Sequence, residues 1–547
     1  MVGLRRTLSL TAFGAKGDMS DTEFLGGLTY FTAVFAAVLA LPVTWLLLRR
    51  YRRSILRLMN QRGEVQPDPG PPSAAESEPG RSLTAHPVAP EEISAGIRRN
   101  VMLVVIVGLL FGFAFSTLFL AWNDIDFSVY RVSFFGAYQT WPAVIGIWIV
   151  TGGSKRWLWG SLTVYFVALW AAGLISGARF IDPARLWVWS LIPTAAVIAF
   201  LSRPLRGVGT LVLGAMMVAI VGSQAFAIAI VGSDGLLDAW VEFFFAIGIT
   251  NGNVMFWALQ LVGLVGAVVL GTLVTLWLAR WYGRHGFSDQ MLLLGTVFLV
   301  FAIDFSVGVS SSDGGAFGVG MAIFVATGAI AMVLYRVVHR SRQQAPALLM
   351  LRVFSPDPKS QRLLDRINAG WRYLGPVRMI GGPDLAIANV EPDEFLTFLR
   401  GKLRRLFIDQ PAALADRLGS LTARRDPDAR YRIDEFFCFD DTWRLTVTRL
   451  LEQTEAVVMD LRAFGPKNEG CILEIELLSQ RGVLERTVLL VDARTDRALL
   501  DSVLEQLAGK GPTVIEVDND DPDHAITALA AAATVGPPRL DSSPHVS

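Results

Sequence analysis

The sequence predicts a protein in two parts: an α-helical transmembrane bundle of about nine spans, followed by a cytosolic α/β domain with a mainly parallel sheet. Three observations lead there. Of 547 residues, 52% are hydrophobic, and upstream of about residue 340 they fall in long uninterrupted blocks. From about Ala347 onward the pattern changes to short apolar runs alternating with amphipathic helical stretches, the signature of a sheet covered on both faces. Cationic residues also gather at alternate junctions between the apolar blocks, as they do in loops retained on the cytoplasmic side.

Residues 1–23 form a short extracytoplasmic N-terminus, and residues 24–48 the first span, longer than the apolar core of a signal peptide. Arg49–Arg57, RRYRRSILR, is a cluster that stays cytoplasmic, and Gln66–Gly80, QPDPGPPSAAESEPG, has too little apolar surface to offset the entropy of ordering. Residues 49–100 therefore read as a cytosolic basic and disordered loop. Residues 101–338 hold the rest of the bundle: Val101–Trp122, Phe134–Thr151, Trp157–Ile175, Leu186–Leu201, Val208–Val231, Val254–Leu278, Met291–Val309 and Gly318–Val338. Leu186–Leu201 is short and interrupted by Pro193. Lys155/Arg156, Arg203/Arg206, Arg280/Arg284 and Arg336/Arg340/Arg342 lie at alternate junctions, and Asp124/Asp126, Asp234/Asp238/Glu242 and Asp313 lie between, with Arg131, Arg179 and Arg185 as exceptions. This places the N-terminus outside and the C-terminal domain in the cytosol of a multi-pass protein whose first partner is the lipid bilayer. The Arg, Ala and Gly richness fits a bacterial plasma (inner) membrane. Leu236–Ile249, too short and charged to cross, suits an interfacial or re-entrant helix.

Asp304 stands out within the spans. A carboxylate there must face the bundle or a wet cavity. It reads either as a proton or ion relay or as a polar contact between helices, with Gln224 and Gln260 as candidate partners. From Ser341 onward there are 26 Lys and Arg against 31 Asp and Glu and no basic run, so nucleic acid is not an expected partner. The two cysteines, Cys438 and Cys471, read as reduced cytosolic thiols, and no Cys/His cluster predicts a metal.

In residues 345–535, strands are predicted at Leu348–Phe354, Val377–Ile380, Phe436–Phe439, Ala456–Leu461, Thr487–Val491 and Thr513–Val517. Helices are predicted at about Ser360–Leu374, Pro392–Ile408, Thr442–Glu452, Gly470–Gln480, Asp496–Leu507 and Asp523–Ala533. Residues 536–547 are a disordered Pro/Ser tail. The stretch Glu455–Leu478, EAVVMDLRAFGPKNEGCILEIELL, reads as a buried strand, a loop and a helix start. Its loop must lie at the carboxyl edge of the sheet, where ligands of parallel α/β sheets gather.

Two of these stretches carry a family resemblance. LRVFSPDPKSQRLL, Leu351–Leu364, resembles the opening of a Toll/interleukin-1 receptor (TIR) domain, whose first strand ends in Ser and an acidic residue. AVVMDLRAF…NEGCILEIELL resembles the family's middle strand, loop and following helix, with Gly470-Cys471-Ile472-Leu473-Glu474-Ile475 matching the Trp-Cys-x-x-Glu-Leu signature. Gly470 stands in place of the Trp and Ile475 in place of the Leu. The resemblance implies a flavodoxin-like, TIR-like sheet, and it implies NAD as a substrate, because TIR domains that cleave NAD use the Glu of this signature, here Glu474. It also implies self-association through the cytosolic domain.

The residues themselves leave alternatives. A Glu in the early turns of this helix can hydrogen-bond ribose hydroxyls or steady an oxocarbenium-like transition state, or it can simply stabilise its helix. Ser355 and Asp357 suit a ribose or phosphate contact, or an ordinary turn before a helix. Gly381 and Gly382 let backbone approach a phosphate or make a turn. Trp443 flanks a base or packs. Asp460, Asp492 and Asp518, at or near strand ends, raise a rival Mg²⁺ reading, for which no Lys is placed. The expectation is a membrane-anchored signalling protein whose cytosolic domain binds, and as an enzyme would hydrolyse, a nucleotide such as NAD. A non-catalytic scaffold, or a transporter with a regulatory domain, are the alternatives.

Overall fold

The computed structural model describes residues 21–59, 90–175, 183–202, 205–231, 233–309, 315–339, 345–352, 358–381, 390, 392–421, 424–439, 442–507, 511–517 and 522–534. The chain divides into two compact units, one essentially helical and one α/β.

In the helical unit, seven helices among the described residues are long and apolar enough to cross a membrane: Phe31–Met59, Glu91–Trp122, Lys155–Ile175, Arg206–Val231, Gly252–Gly283, Asp289–Val307 and Phe317–Val338. They are compatible with a multi-pass membrane protein. Two expected spans take other forms. Phe134–Thr151 is two shorter helices, Val129–Gln139 and Pro142–Thr151, because the first is capped at Thr140 and Pro142 opens the second, where its missing N–H costs nothing. Leu186–Leu201 is the helix Pro183–Phe200 with Pro193 inside it, and is not among the seven. Leu236–Ile249 falls on the helix Asp234–Ala246, where Trp240 packs on Phe244 and Phe243 is exposed.

The interior of this unit is aromatic. Trp141 meets Phe301 at 4.2 Å, Phe111 meets Phe298 at 5.1 Å, and Phe115 meets Phe305 at 5.6 Å between ring centroids. The opposite extreme is Gly252–Gly283, whose Trp257, Leu261, Val265 and Leu273 are all exposed. An apolar face of that size requires a non-aqueous neighbour, which a bilayer supplies.

Among the described residues the α/β unit has seven strands: β1 Leu348–Arg352, β2 Val377–Gly381, β3 Phe407–Ile408, β4 Ile433–Cys438, β5 Ala456–Asp460, β6 Thr487–Val491 and β7 Thr513–Glu516. All pairings are parallel and the order is β3-β4-β2-β1-β5-β6-β7. Both faces are covered, which is why the central strands are apolar on both sides. Helices Pro358–Trp371 and Pro522–Thr534 close one face through Leu363, Ile367, Trp371, Ile526 and Leu529. Helices Pro411–Gly419, Trp443–Leu451, Glu469–Gln480 and Arg497–Glu505 close the other through Leu414, Val447, Leu450, Ile475, Leu478 and Leu500.

Two expectations here are corrected. The single helix expected over Pro392–Ile408 ends at Leu399, and after Gly401 (φ +69°), a conformation glycine adopts freely, the chain makes a 3-10 turn and strand β3. Phe407 earns its place as a strand by packing on Phe437 and Phe439 at 5.6 and 5.2 Å. Residues 49–59 and 91–100, expected as loop, are helical. Tyr51, Ile55 and Met59, four residues apart, form a buried stripe, and Tyr51 donates to Glu394 Oε2 at 3.2 Å. Residues 60–89 lie outside the described residues.

Candidate functional site

The chain visits β1, turns to β2 on one side, and later returns to place β5 on the other side of β1. The carboxyl ends of β1 and β5 therefore flank a point where the winding reverses, which is where open α/β sheets leave a crevice. The segment after β1, with Ser355 and Asp357, is outside the described residues; the segment after β5 is described throughout.

That segment is held from three sides. Asp460, the last residue of β5, is buried and grips Arg462 with both oxygens, 2.8 Å from Nε and 2.7 Å from Nη2. Asp492, just past β6, accepts from the backbone N–H of Ala463 and of Arg494, each at 3.1 Å, and from Arg494 Nε at 2.8 Å. Burial pulls Asp492 upward, but these hydrogen bonds outweigh it and hold the carboxyl below its usual range. Thr495 Oγ1 donates to the Leu461 carbonyl, and Asn468 Oδ1 accepts from the Gly465 N–H. Ala463 sits at φ +63°, a strain these bonds maintain. The amides of Ala463 and Gly465 are thus already engaged within the protein.

The helix Glu469–Gln480 follows, with Cys471, Ile475 and Leu478 buried against the sheet. Glu474 lies three residues after Cys471 and four before Leu478, so it shares their face. Its Oε2 is covered and has no hydrogen-bond partner. Burial pushes the carboxyl up to about 8. Cys471 is pushed up to about 12 by burial, then by the negative charges of Glu474 and Asp460, which shows that the three groups share one electrostatic environment. A thiol so raised is a poor nucleophile.

The other sequence-predicted residues fall elsewhere. Gly381 ends β2, and a Cβ there would lie 2.7 Å from the Phe437 ring, so packing accounts for this glycine. Gly382 is outside the described residues. Trp443 is half-buried on the face that also carries Cys471 and Ile475, with the Arg444 guanidinium 5.5 Å from its ring centroid. Asp460 and Asp492 are each occupied by an arginine, Asp518 is outside the described residues, and no group of three or more potential metal ligands occurs among the described residues. Sequence reasoning missed the Asp460–Arg462 pair, whose Asp-x-Arg spacing at a strand end was its only signal.

In the helical unit, Asp304 makes no hydrogen bond or ion pair with a described residue. Gln224 and Gln260, expected as its partners, are not. The carbonyl of Gln260 accepts from Ser223 Oγ at 3.1 Å across the helix pair Arg206–Val231 and Gly252–Gly283. Gln224 is buried about two turns beyond Met217, the residue of its helix that shares a cavity with Asp304. The chain matches no family model, no curated protein and no solved structure.

Proposed function

We propose that the chain is a membrane-anchored signalling protein whose α/β unit is a TIR-like cytosolic domain that binds a nucleotide such as NAD at the carboxyl edge beside Glu474 and cleaves it. The observation that carries this reading is the Glu474 carboxyl, whose Oε2 is covered and without a hydrogen-bond partner, and which is pushed up to about 8. Such perturbed acids cluster at functional sites. The order β2-β1-β5-β6-β7 is the 2-1-3-4-5 order of flavodoxin-like sheets, with β4 and β3 added beside β2, and it supports the same reading. The exposed Arg49, Arg50, Arg53 and Arg57, beside the buried Tyr51 stripe, support a cytosolic placement of this unit.

The chemistry follows from charge. The nicotinamide ring of NAD is cationic, so its arrival beside Glu474 supplies the missing counter-charge and favours release of the proton. The resulting carboxylate steadies positive charge on the ribose as the C1′–N bond breaks and its electron pair neutralises the ring. Water then adds to C1′, and its proton passes to Glu474. The unit acts in clusters, formed through self-association of the α/β domain at the bilayer.

The test is NAD consumption by the full-length protein at high density in liposomes, with Glu474→Gln as control. Turnover that falls at least about a hundredfold in the variant supports the reading. Absence of turnover in folded, clustered wild-type protein removes it and leaves a scaffold.

A further inference from the structure

Asp304 lies in Asp289–Val309, whose apolar stretch is 72% buried, the most enclosed of the seven candidate spans. It borders a cavity of about 30 Å³ walled by Ala33 and Ala37 of the first span, Pro193 of Pro183–Phe200, Met217 of Arg206–Val231, and Val300 of its own helix. Among the lining residues Asp304 is the one polar side chain. Such a space has room for about two waters. Pro193, on this wall, removes one backbone hydrogen bond from its helix.

We propose that Asp304 is a proton-binding site in the interior of the helical unit, taking up a proton to become the neutral acid and releasing it to restore the carboxylate. A carboxyl bordering a cavity lined by apolar side chains has two states that differ sharply in their need for water. A metal cation is the poorer occupant, because Na⁺, Mg²⁺ or Ca²⁺ needs several oxygen ligands and the wall offers one carboxyl. Among the described residues no other charge lines the cavity. The described ionisable side chains on the wall helices stand toward helix ends, the arginines from Arg49 on the first, Arg206 and Asp289 on the others, and none lines the cavity. The side chains of Asp21, Glu23, Tyr30 and Arg185 are outside the described residues. Of the further helices packed on Asp289–Val309, Pro142–Thr151 has no ionisable group, Glu91–Trp122 has Glu91, Glu92, Arg98 and Arg99 at its start, and Gly315–Val338 has Tyr335 and Arg336 at its end. Taking and releasing a proton changes the charge at the meeting point of four helices, and so the stability of their packing. This inference does not depend on Glu474.

Dicyclohexylcarbodiimide tests it. The acid O–H adds across the carbodiimide, and the acylisourea rearranges to a stable N-acylurea without loss of a leaving group, so labelling reports the protonated acid. Full-length protein in liposomes, treated at a series of pH values and mapped by mass spectrometry, is expected to carry the label on the peptide containing Asp304. Labelling should fall by about tenfold per pH unit on its alkaline limb and be indifferent to sodium. Asp304→Asn should lose it and Asp304→Glu keep it, each checked for helicity and monodispersity. Labelling of Asp304 in denatured but not in folded protein, at any pH, overturns the proposal. Protection by sodium at fixed pH also overturns it, in favour of a metal cation.

Discussion

Asp460 ends β5 and Glu474 lies on the helix that follows it, both carry a carboxyl oxygen shielded from water, and both push the Cys471 thiol upward. They differ in what meets the charge. Asp460 has a guanidinium two residues along, held by two short bonds. Glu474 has nothing. Burial alone therefore does not mark a site. An acid with its counter-charge built in serves the loop, while under the proposed function an acid whose counter-charge is absent awaits a ligand that brings one.

The largest expected effect comes from making the two alike. Arg462→Ala takes the guanidinium from buried Asp460 and leaves it the backbone N–H of residue 462 at 3.2 Å, which should cost about 3–5 kcal/mol, read as faster amide hydrogen exchange across β5 and β6 in the full-length protein. A loss no greater than that of an exposed arginine would show that the pair is merely decorative.

Glu474→Gln should act in the opposite direction, with a pH dependence. Because the folded carboxyl titrates near 8 against an ordinary value of 4.5, its proton-linked stability is complete below about pH 4.5 and is lost as pH rises through about 8. Relative to wild type, the glutamine variant should gain stability with pH across that window, by roughly 2–4 kcal/mol from end to end. Hydrogen exchange at low and high pH measures it. A variant stabilised at high pH yet inactive toward NAD is the signature of a residue kept for function at the expense of stability. A flat difference would place Glu474 in contact with water.

The central strands were legible because parallel strands covered on both faces are apolar throughout, as AVVMD and TVLLV are. Strand β3 was not, since two residues carry no period and Phe407 is a strand only through Phe437, thirty residues away in sequence. The two expected spans that depart each contain a proline, Pro142 or Pro193, over which hydropathy averages, although Pro42 lies inside a first span that stays long and continuous. Glu474 could be placed near the edge from the strand and helix pattern, but its lack of a partner is a fact about surrounding atoms. The isolation of Asp304 from Gln224 and Gln260 is likewise a matter of helix packing that no spacing within one helix encodes.

The smallest effect uses Cys471 as a reporter of the neighbouring charges. Its thiol is raised to about 12 by burial and by Glu474 and Asp460, whereas Cys438 is raised to about 11 by burial, opposed by its hydrogen bonding with Thr446 and Thr442. Both should react slowly with a maleimide in folded protein. Near pH 9, where Glu474 is ionised, Glu474→Gln removes a negative charge and should speed Cys471 modification by up to about tenfold. Near pH 6 wild-type Glu474 is already neutral, and the variant should make no difference. Cys438, whose shift owes nothing to Glu474, serves as the internal control. Acceleration at Cys471 alone, and only at high pH, would identify Glu474 as the charge that appears.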